Sequence, residues 1–307
     1  MKIGIIGAGN VGATAAHIAL MKDLGDIYLL DIMADMAKGK AMDLNQSKFL
    51  FNSSASVDGG DDYERIKECD FVIITAGLAR KPGMSRDDLL FKNFEIVTDV
   101  CKKIKGGKPP FVIVVSNPLD VMAYAAYKTL GLPREKVLGM AGVLDTYRFY
   151  HYIQNKLDTR SIKIDAITLG SHGDTMVPVS STAKVDGKLL TSLVSAEELK
   201  ELEDKTKNGG AEIVGLLKTG SAYYAPAASA VRMVEAIINN EGAVLPCSVY
   251  AQGEYGLEGL YIGLPVKLTS KGFDSTVDIE MSADEKAQLA SSAKAIKEQI
   301  EKIKERF

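Results

Sequence analysis

The feature that most constrains this chain is a six-residue run, Gly7-Ala8-Gly9-Asn10-Val11-Gly12, set between a short apolar run at 3–6 and a helical pattern at 11–21. The apolar run reads as a strand, and the glycines fall where strand turns into helix. The first glycine permits a tight turn, the second lets backbone approach a pyrophosphate, and the third allows close helix–strand packing. The helix start offers free N–H groups and a positive dipole end to an anion. Such a run alone is a weak signal, because a glycine-rich turn also occurs with no ligand. The next strand, 27–31, adds weight by ending in Asp31, at the interval past Gly12 that a dinucleotide fingerprint requires. A carboxylate there accepts hydrogen bonds from both ribose hydroxyls and repels a 2′-phosphate. Ile32 and Met33 supply no cation in its place, so the pattern points to NAD rather than NADP.

Strand and helix signals alternate through the first half. A helical pattern spans 34–49, clear strands lie at 71–75 and 111–115, and a weaker strand candidate lies at 54–57. These strands are almost wholly apolar, as buried parallel strands are. The alternation predicts an α/β protein with a doubly wound, mostly parallel sheet, the Rossmann arrangement. Past residue 145 the character changes. A strand is expected at 162–169, helices at 196–207, 209–217 and 222–239, strands at 243–251, 260–266 and 276–281, and a closing amphipathic helix at 283–307. We therefore expect a dinucleotide-binding domain over 1–144 and a C-terminal α+β substrate domain over 145–307, closely packed together.

Composition narrows the function classes. The net charge is −3 over 307 residues and no long block of like charge occurs, so no nucleic acid or membrane partner is expected. Cys69, Cys101 and Cys247 are dispersed, odd in number and outside any CxxC pair. They read as buried reduced thiols, with no disulfide framework and no metal site. The first strand starts directly after Met1, so neither a signal nor a transit segment is expected, and the reduced thiols lead us to expect a cytoplasmic location.

Three histidines are present, and His17 and His151 sit inside helical patterns where a structural role fits. His172 follows a strand end, between Ser171 and Gly173-Asp174, where a loop can present it to a cleft. Reduction of a carbonyl needs a proton donor that titrates near neutrality, which imidazole supplies; a structural histidine is the alternative. Asp145 and Arg148 lie three apart in an otherwise apolar and aromatic helical segment, so they share a face. They are either an intrahelical ion pair or a site in which Asp145 orients His172 and Arg148 clamps a carboxylate. Thr75-Ala76-Gly77 and Val115-Ser116-Asn117-Pro118 sit at strand ends that should line a cofactor crevice. Asn117 there either contacts ligand or forms a turn before Pro118. The polar loop 79–88 carries Arg80 and Arg86 and reads as a lid or as an exposed basic turn.

Taken together, these segments resemble the lactate/malate dehydrogenase superfamily over essentially the whole chain, and within it the lactate dehydrogenase-like malate dehydrogenases of bacteria. The likeness rests on Gly7–Gly12, on the run from Thr75 through Arg86, on Val115-Ser116-Asn117-Pro118-Leu119-Asp120, on Gly142-Val143-Leu144-Asp145, on His172-Gly173-Asp174 and on Lys218-Thr219-Gly220-Ser221-Ala222. The resemblance implies His172 as general acid/base oriented by Asp145, Arg148 on the substrate carboxylate, and Arg86 polarising the carbonyl. It also implies Asn117 touching substrate and nicotinamide, Asn93 near the cofactor, and Arg80 at the specificity position. Oxaloacetate would pair with Arg80, whereas pyruvate would leave it unpartnered at a cost of about 3–5 kcal/mol if deeply buried, roughly two to four decades of selectivity. A small-molecule substrate and a homo-oligomer, tetramer or else dimer, are implied as well. The competing readings are a lactate dehydrogenase with an unusual loop and a non-catalytic NAD-binding sensor. Two positions depart from the family pattern, Ser171 where glycine is usual and Ala79 where proline is usual.

Overall fold

The structure, a computed structural model, describes residues 1–78 and 83–307. Its first half alternates strand and helix: β1 (Lys2–Ile6), α1 (Asn10–Met21), β2 (Asp26–Leu30), α2 (Ala34–Ser47), β3 (Val57–Gly60), α3 (Tyr63–Lys67), β4 (Phe71–Ile74), α4 (Arg86–Ile104), β5 (Phe111–Val114), α5 (Leu119–Leu130) and β6 (Val137–Gly139). The rest comprises α6 (Gly142–Lys156), β7 (Ile164–Gly170), β8 (Met176–Val185), β9 (Lys188–Leu189), α7 (Ala196–Leu217), α8 (Tyr224–Ile238), β10 (Ala243–Gln252), β11 (Glu258–Thr269), β12 (Gly272–Thr276) and α9 (Ala283–Glu301).

All these strands join one sheet, ordered β3-β2-β1-β4-β5-β6-β10-β11-β7-β8-β9, with β12 paired to β11. The pairs among β1–β6 are parallel, and the remaining pairs are antiparallel. β1 lies between β2 and β4, and Ile6 is level with Leu30 and Ile74. The winding direction reverses at β1, so a crevice opens beyond the carboxyl ends of β1 and β4. The glycine turn that follows Ile6 lies at that edge.

These strands are apolar because helices cover both faces. The helices α3, α4, α5 and α9 touch in series, and α2, α1, α8, α6 and α7 form a second series. β4 is buried throughout, and Ile3, Ile5, Leu29 and Ile73 are fully buried. A smaller cluster of Phe149, Ile153, Ile164, Leu190 and Leu202 fills the space among α6, α7, β7 and β8. The parallel and antiparallel parts meet at one register pair, Gly139 beside Ser248. A Cβ on Gly139 would lie 2.8 Å from the Ser248 Cβ, so glycine permits this approach. Fully buried Tyr261 on β11 spans the junction, its hydroxyl donating to the Val137 carbonyl at 3.0 Å.

Several expectations shift. The segments 196–207 and 209–217 form one helix, α7, because Gly209 and Gly210 pack against α6 instead of breaking it. A Cβ on Gly209 would lie 2.8 Å from the Tyr152 hydroxyl. The strand expected at 276–281 lies at 272–276, started by Gly272 at φ +88, where a Cβ would meet the Glu135 carbonyl at 2.1 Å. The weak strand at 54–57 begins only at Val57. The helix expected at 283–307 ends at Glu301, and the one at 34–49 ends at Ser47 before a 3₁₀ turn. β6 is too short to show a period, and polar Ser180-Ser181-Thr182 hides β8. All three cysteines are buried and free. Burial pushes the Cys69 thiol up to about 11 and the Cys101 thiol up to about 12.

Tyr261→Phe keeps the buried ring and removes the donor to the Val137 carbonyl. The expected loss is about 1–2 kcal/mol, seen by calorimetry as a Tm lower by about 2–4 °C. An unchanged Tm would show that the bond adds nothing to the junction.

Candidate active site

The glycine turn has the form a pyrophosphate requires. Gly7 has φ +107, and a Cβ on Gly12 would lie 1.8 Å from the Gly7 carbonyl oxygen, so α1 packs against the turn with no room for a side chain. Around Gly9 no atom lies within 4 Å of a built Cβ, leaving open space on the ligand side. The Thr75 hydroxyl, at the end of β4, donates to the carbonyls of Ile6 and Gly7 and fixes the turn to the crevice wall. The start of α1 has neither a side-chain cap nor an acidic residue in its first turn, so its N–H groups and dipole remain available to an anion. Asn10 and Val11 lie in that first turn.

Asp31 follows β2. One of its oxygens accepts the Ala8 N–H at 2.7 Å and the other accepts the Met33 N–H at 3.0 Å. Each carboxylate oxygen has a second lone pair for a ribose hydroxyl, so this geometry fits the adenosine half of NAD. The Lys40 ammonium donates to the Ala8 carbonyl at 2.5 Å. Sequence reading gave Lys40 no part in this turn, because it belongs to the following helix and carries no motif.

The far wall of the crevice is held by Asn93, which is 1% exposed. Its Oδ1 accepts the Leu78 N–H at 2.7 Å, while its Nδ2 donates to the carbonyls of Leu78 and Asn117 at 3.1 and 2.7 Å. Asn93 thus ties together the loops that follow β4 and β5. Val115 and Ser116 are buried, and the Ser116 hydroxyl donates to the Ala76 carbonyl at 2.6 Å. Asn117 is exposed at the edge of the crevice.

His172, Asp145 and Arg148 come together. His172 Nδ1 lies 2.8 Å from Asp145 Oδ2, and Arg148 Nη1 lies 3.1 Å from Asp145 Oδ1. Two ties seat α6 for this contact. A Cβ on Gly142 would lie 2.6 Å from the Thr168 carbonyl oxygen, and the Thr168 N–H donates to the Thr146 hydroxyl at 2.8 Å. Asp145 is 1% exposed, so the His172 ring and the Arg148 guanidinium stand in for the water its oxygens have lost. Burial opposes protonation of His172, but the charge of Asp145 and its hydrogen bond outweigh that, and the imidazole pKa is raised. With Nδ1 directed at Asp145, Nε2 is the nitrogen left to exchange a proton with a ligand.

Arg86 is the first residue of α4, held by a capping box between Ser85 and Asp88. Its Nη2 lies 2.9 Å from Asp174 Oδ2, two residues past His172, and both side chains are largely exposed. Arg80 lies outside the described residues, as does Ala79. Ser171 lacks the left-handed backbone, which falls on Gly170 at φ +83 instead. Its hydroxyl pairs with that of Thr175 at 2.7 Å, so serine fits where the family pattern has glycine. His17 lies in a tilted ring contact with Phe51 and His151 pairs with Asn155. Among the described residues, no group of three or more His, Cys, Asp or Glu side chains is placed to hold a metal ion.

The fold defines a dinucleotide-binding dehydrogenase that also holds a largely buried His172–Asp145–Arg148 cluster. The chain belongs to the lactate/malate dehydrogenase family: the family's NAD-binding domain matches residues 1–139 and its α/β C-terminal domain matches residues 142–307. It is 47% identical to malate dehydrogenase of Rhodopirellula baltica, over 96% of this chain and 95% of that one. The structure is similar to that of Cryptosporidium parvum malate dehydrogenase, with TM-score 0.96, 42% identity and 99% of each chain covered. It is also similar to C. parvum lactate dehydrogenase crystallised with lactic acid and NAD, with TM-score 0.94, 37% identity and 98% and 96% coverage. The fold is therefore shared between both substrate types, and the choice between them lies in side chains.

Gly12→Ala forces the turn away from α1. NAD affinity measured by calorimetric titration is expected to fall at least about ten-fold, one added methyl having no room at the pyrophosphate turn. Unchanged affinity would show that the phosphates bind elsewhere.

Proposed function

We propose that this chain is an NAD-dependent malate dehydrogenase that interconverts (S)-malate and oxaloacetate. The observation that carries the reading is the buried Asp145 carboxylate shared between His172 and Arg148 in a chain that also carries the glycine turn of an NAD-binding domain. A sensor that only bound NAD would have no use for a desolvated proton-transfer pair joined to a carboxylate-binding arginine. NAD supplies the hydride acceptor or donor. His172 takes the proton of the malate hydroxyl through Nε2 and returns it to oxaloacetate, with Asp145 holding the ring and stabilising imidazolium. Arg148 binds the carboxylate beside the reacting carbon with two parallel hydrogen bonds. Arg86 leaves Asp174 for the carbonyl oxygen, where it stabilises developing negative charge. Asn117 contacts substrate and nicotinamide, and Asn93, near the cofactor, holds the Asn117 loop in place. Arg80 selects the substrate by pairing with the second carboxylate of oxaloacetate.

A division at 144/145, between a cofactor domain and a substrate domain, belongs to the same reading. So do a cytoplasmic location and a homotetramer, with a dimer as the alternative. Large apolar side chains stand exposed at Ile32, Phe49, Leu50, Leu216 and Tyr224, which suits burial against further copies.

The test is a spectrophotometric assay of NADH oxidation. Oxaloacetate is expected to exceed pyruvate in kcat/KM by at least about 100-fold, the selectivity of a charged pocket that one substrate leaves unpaired. Arg80→Gln is expected to shift preference toward pyruvate. Equal kcat/KM for the two substrates in the unmodified protein favours the lactate-type reading and sinks the Arg80 argument.

The pH dependence has a definite sign. His172 must be neutral to accept a proton and protonated to donate one, and its pKa is raised. Malate oxidation should therefore fall as pH drops through that raised value. Oxaloacetate reduction should fall as pH rises through it. A malate profile with no acid limb would remove His172 from the proton-transfer role.

A further inference from the structure

A second buried carboxylate lies behind His172, and the mechanism above does not use it. Asp120 stands in the first turn of α5 and is 4% exposed. Its Oδ2 accepts the main-chain N–H of His172 at 2.9 Å, and its Oδ1 accepts the hydroxyl of fully buried Ser248 at 2.7 Å. No salt bridge reaches it among the described residues. The preceding amide of the same loop is held in the same way, the Ser171 N–H donating at 2.8 Å to the hydroxyl of fully buried Ser292 on α9. Two consecutive amides of the histidine loop are thus fixed by side chains from remote elements. Only one of the two acceptors is a charged group.

A buried carboxylate with two neutral donors costs stability that a neutral side chain would not, which suggests that its charge has a use. We propose that Asp120 is a positioning residue for His172, holding it by its main-chain amide and placing a second negative charge behind the imidazole. The same first turn of α5 follows Asn117 and Pro118, so one rigid segment sets both the crevice edge and the proton-transfer group. The charged groups acting on Asp120 among the described residues are His172 and Asp145. Those acting on His172 are Asp145, Arg148 and Asp120. Ser248 of β10 and Ser292 of α9 contribute neutral hydroxyls, and the Arg86–Asp174 pair farther along the loop is solvent-exposed. Burial pushes the Asp120 carboxyl up to about 6, against the hydrogen bonds from Ser248 and the His172 amide. The charges of the two groups act on one another, so their titrations are linked.

The proposal rests on the reading of His172 as the proton-transfer group, and the test separates the two. The chain has three histidines, so their ring Cε1–H signals can be followed by NMR in the ligand-free protein and assigned with His17→Gln and His151→Gln. In Asp120→Asn the His172 midpoint is expected to fall by about half a pH unit or more, because a negative charge that favours imidazolium is gone. The acid limb of malate kcat/KM should move the same way, and kcat should drop more than KM rises. Ser248→Ala keeps the carboxylate but removes a donor that favours its charged form, so a smaller fall in the same direction is expected. That second variant decides the matter if Asp120→Asn does not fold. An unmoved His172 midpoint overturns the proposal. A moved midpoint in a protein that turns over neither malate nor lactate leaves the coupling standing and defeats the catalytic reading.

Discussion

The site depends on one carboxylate that cannot be left alone. Asp145 is removed from water and carries two partners, an imidazole on one oxygen and a guanidinium on the other. A buried charge with one partner removed is strongly destabilising, so α6 cannot shift relative to the β7 loop without exposing or orphaning it. That requirement accounts for the tight seating of α6: the contact of Gly142 with the backbone of β7 and the Thr146–Thr168 bond keep the helix where both oxygens are satisfied. Stability and chemistry therefore draw on the same contact. The imidazole that stabilises Asp145 is also the one whose basicity Asp145 raises.

A second constraint acts at the other end of the crevice. α1 approaches the glycine turn so closely that a methyl group at position 12 would overlap the Gly7 carbonyl. The approach is possible because β1 is central, with Thr75 at the end of neighbouring β4 bonded across to the turn. The sheet thereby carries two separately built halves, a glycine turn and the His172–Asp145 pair. Asn93 and the first turn of α5 span the space between them.

Much of this was legible from sequence where residue type and local context agreed. The glycine spacing, the strand before it and Asp31 after it gave the cofactor side, since all three are local. The Asp145–Arg148 spacing put both groups on one helix face, and the apolar segment around them marked that face as inward. What escaped was long-range. Asp120 lies 52 residues from the amide it accepts and 128 from the hydroxyl it receives, and no periodicity encodes such a meeting. Lys40 reaches the turn 32 residues back, again without a local signature. Paired glycines favour a break, so the sequence divides α7 in two, whereas the close approach of Gly209 to the Tyr152 hydroxyl needs that lack of a side chain. β8 was hidden by serines and a threonine whose hydroxyls find partners: Ser180 with Glu203, and Ser181 with Glu285.

The three cysteines have a consequence of a different kind. Each is enclosed by the fold, none is paired, and burial holds their protons on well beyond physiological pH. Oxidants and alkylating reagents attack the thiolate, so they reach these sulfurs only when the surrounding elements open. Cys69, Cys101 and Cys247 report from three places, before β4, within α4 and within β10. Their rates of modification thus measure local opening on both sides of the β6–β10 junction. The native thiols form an internal record of where this chain loosens first, in a protein whose working surface carries no sulfur nucleophile of its own among the described residues.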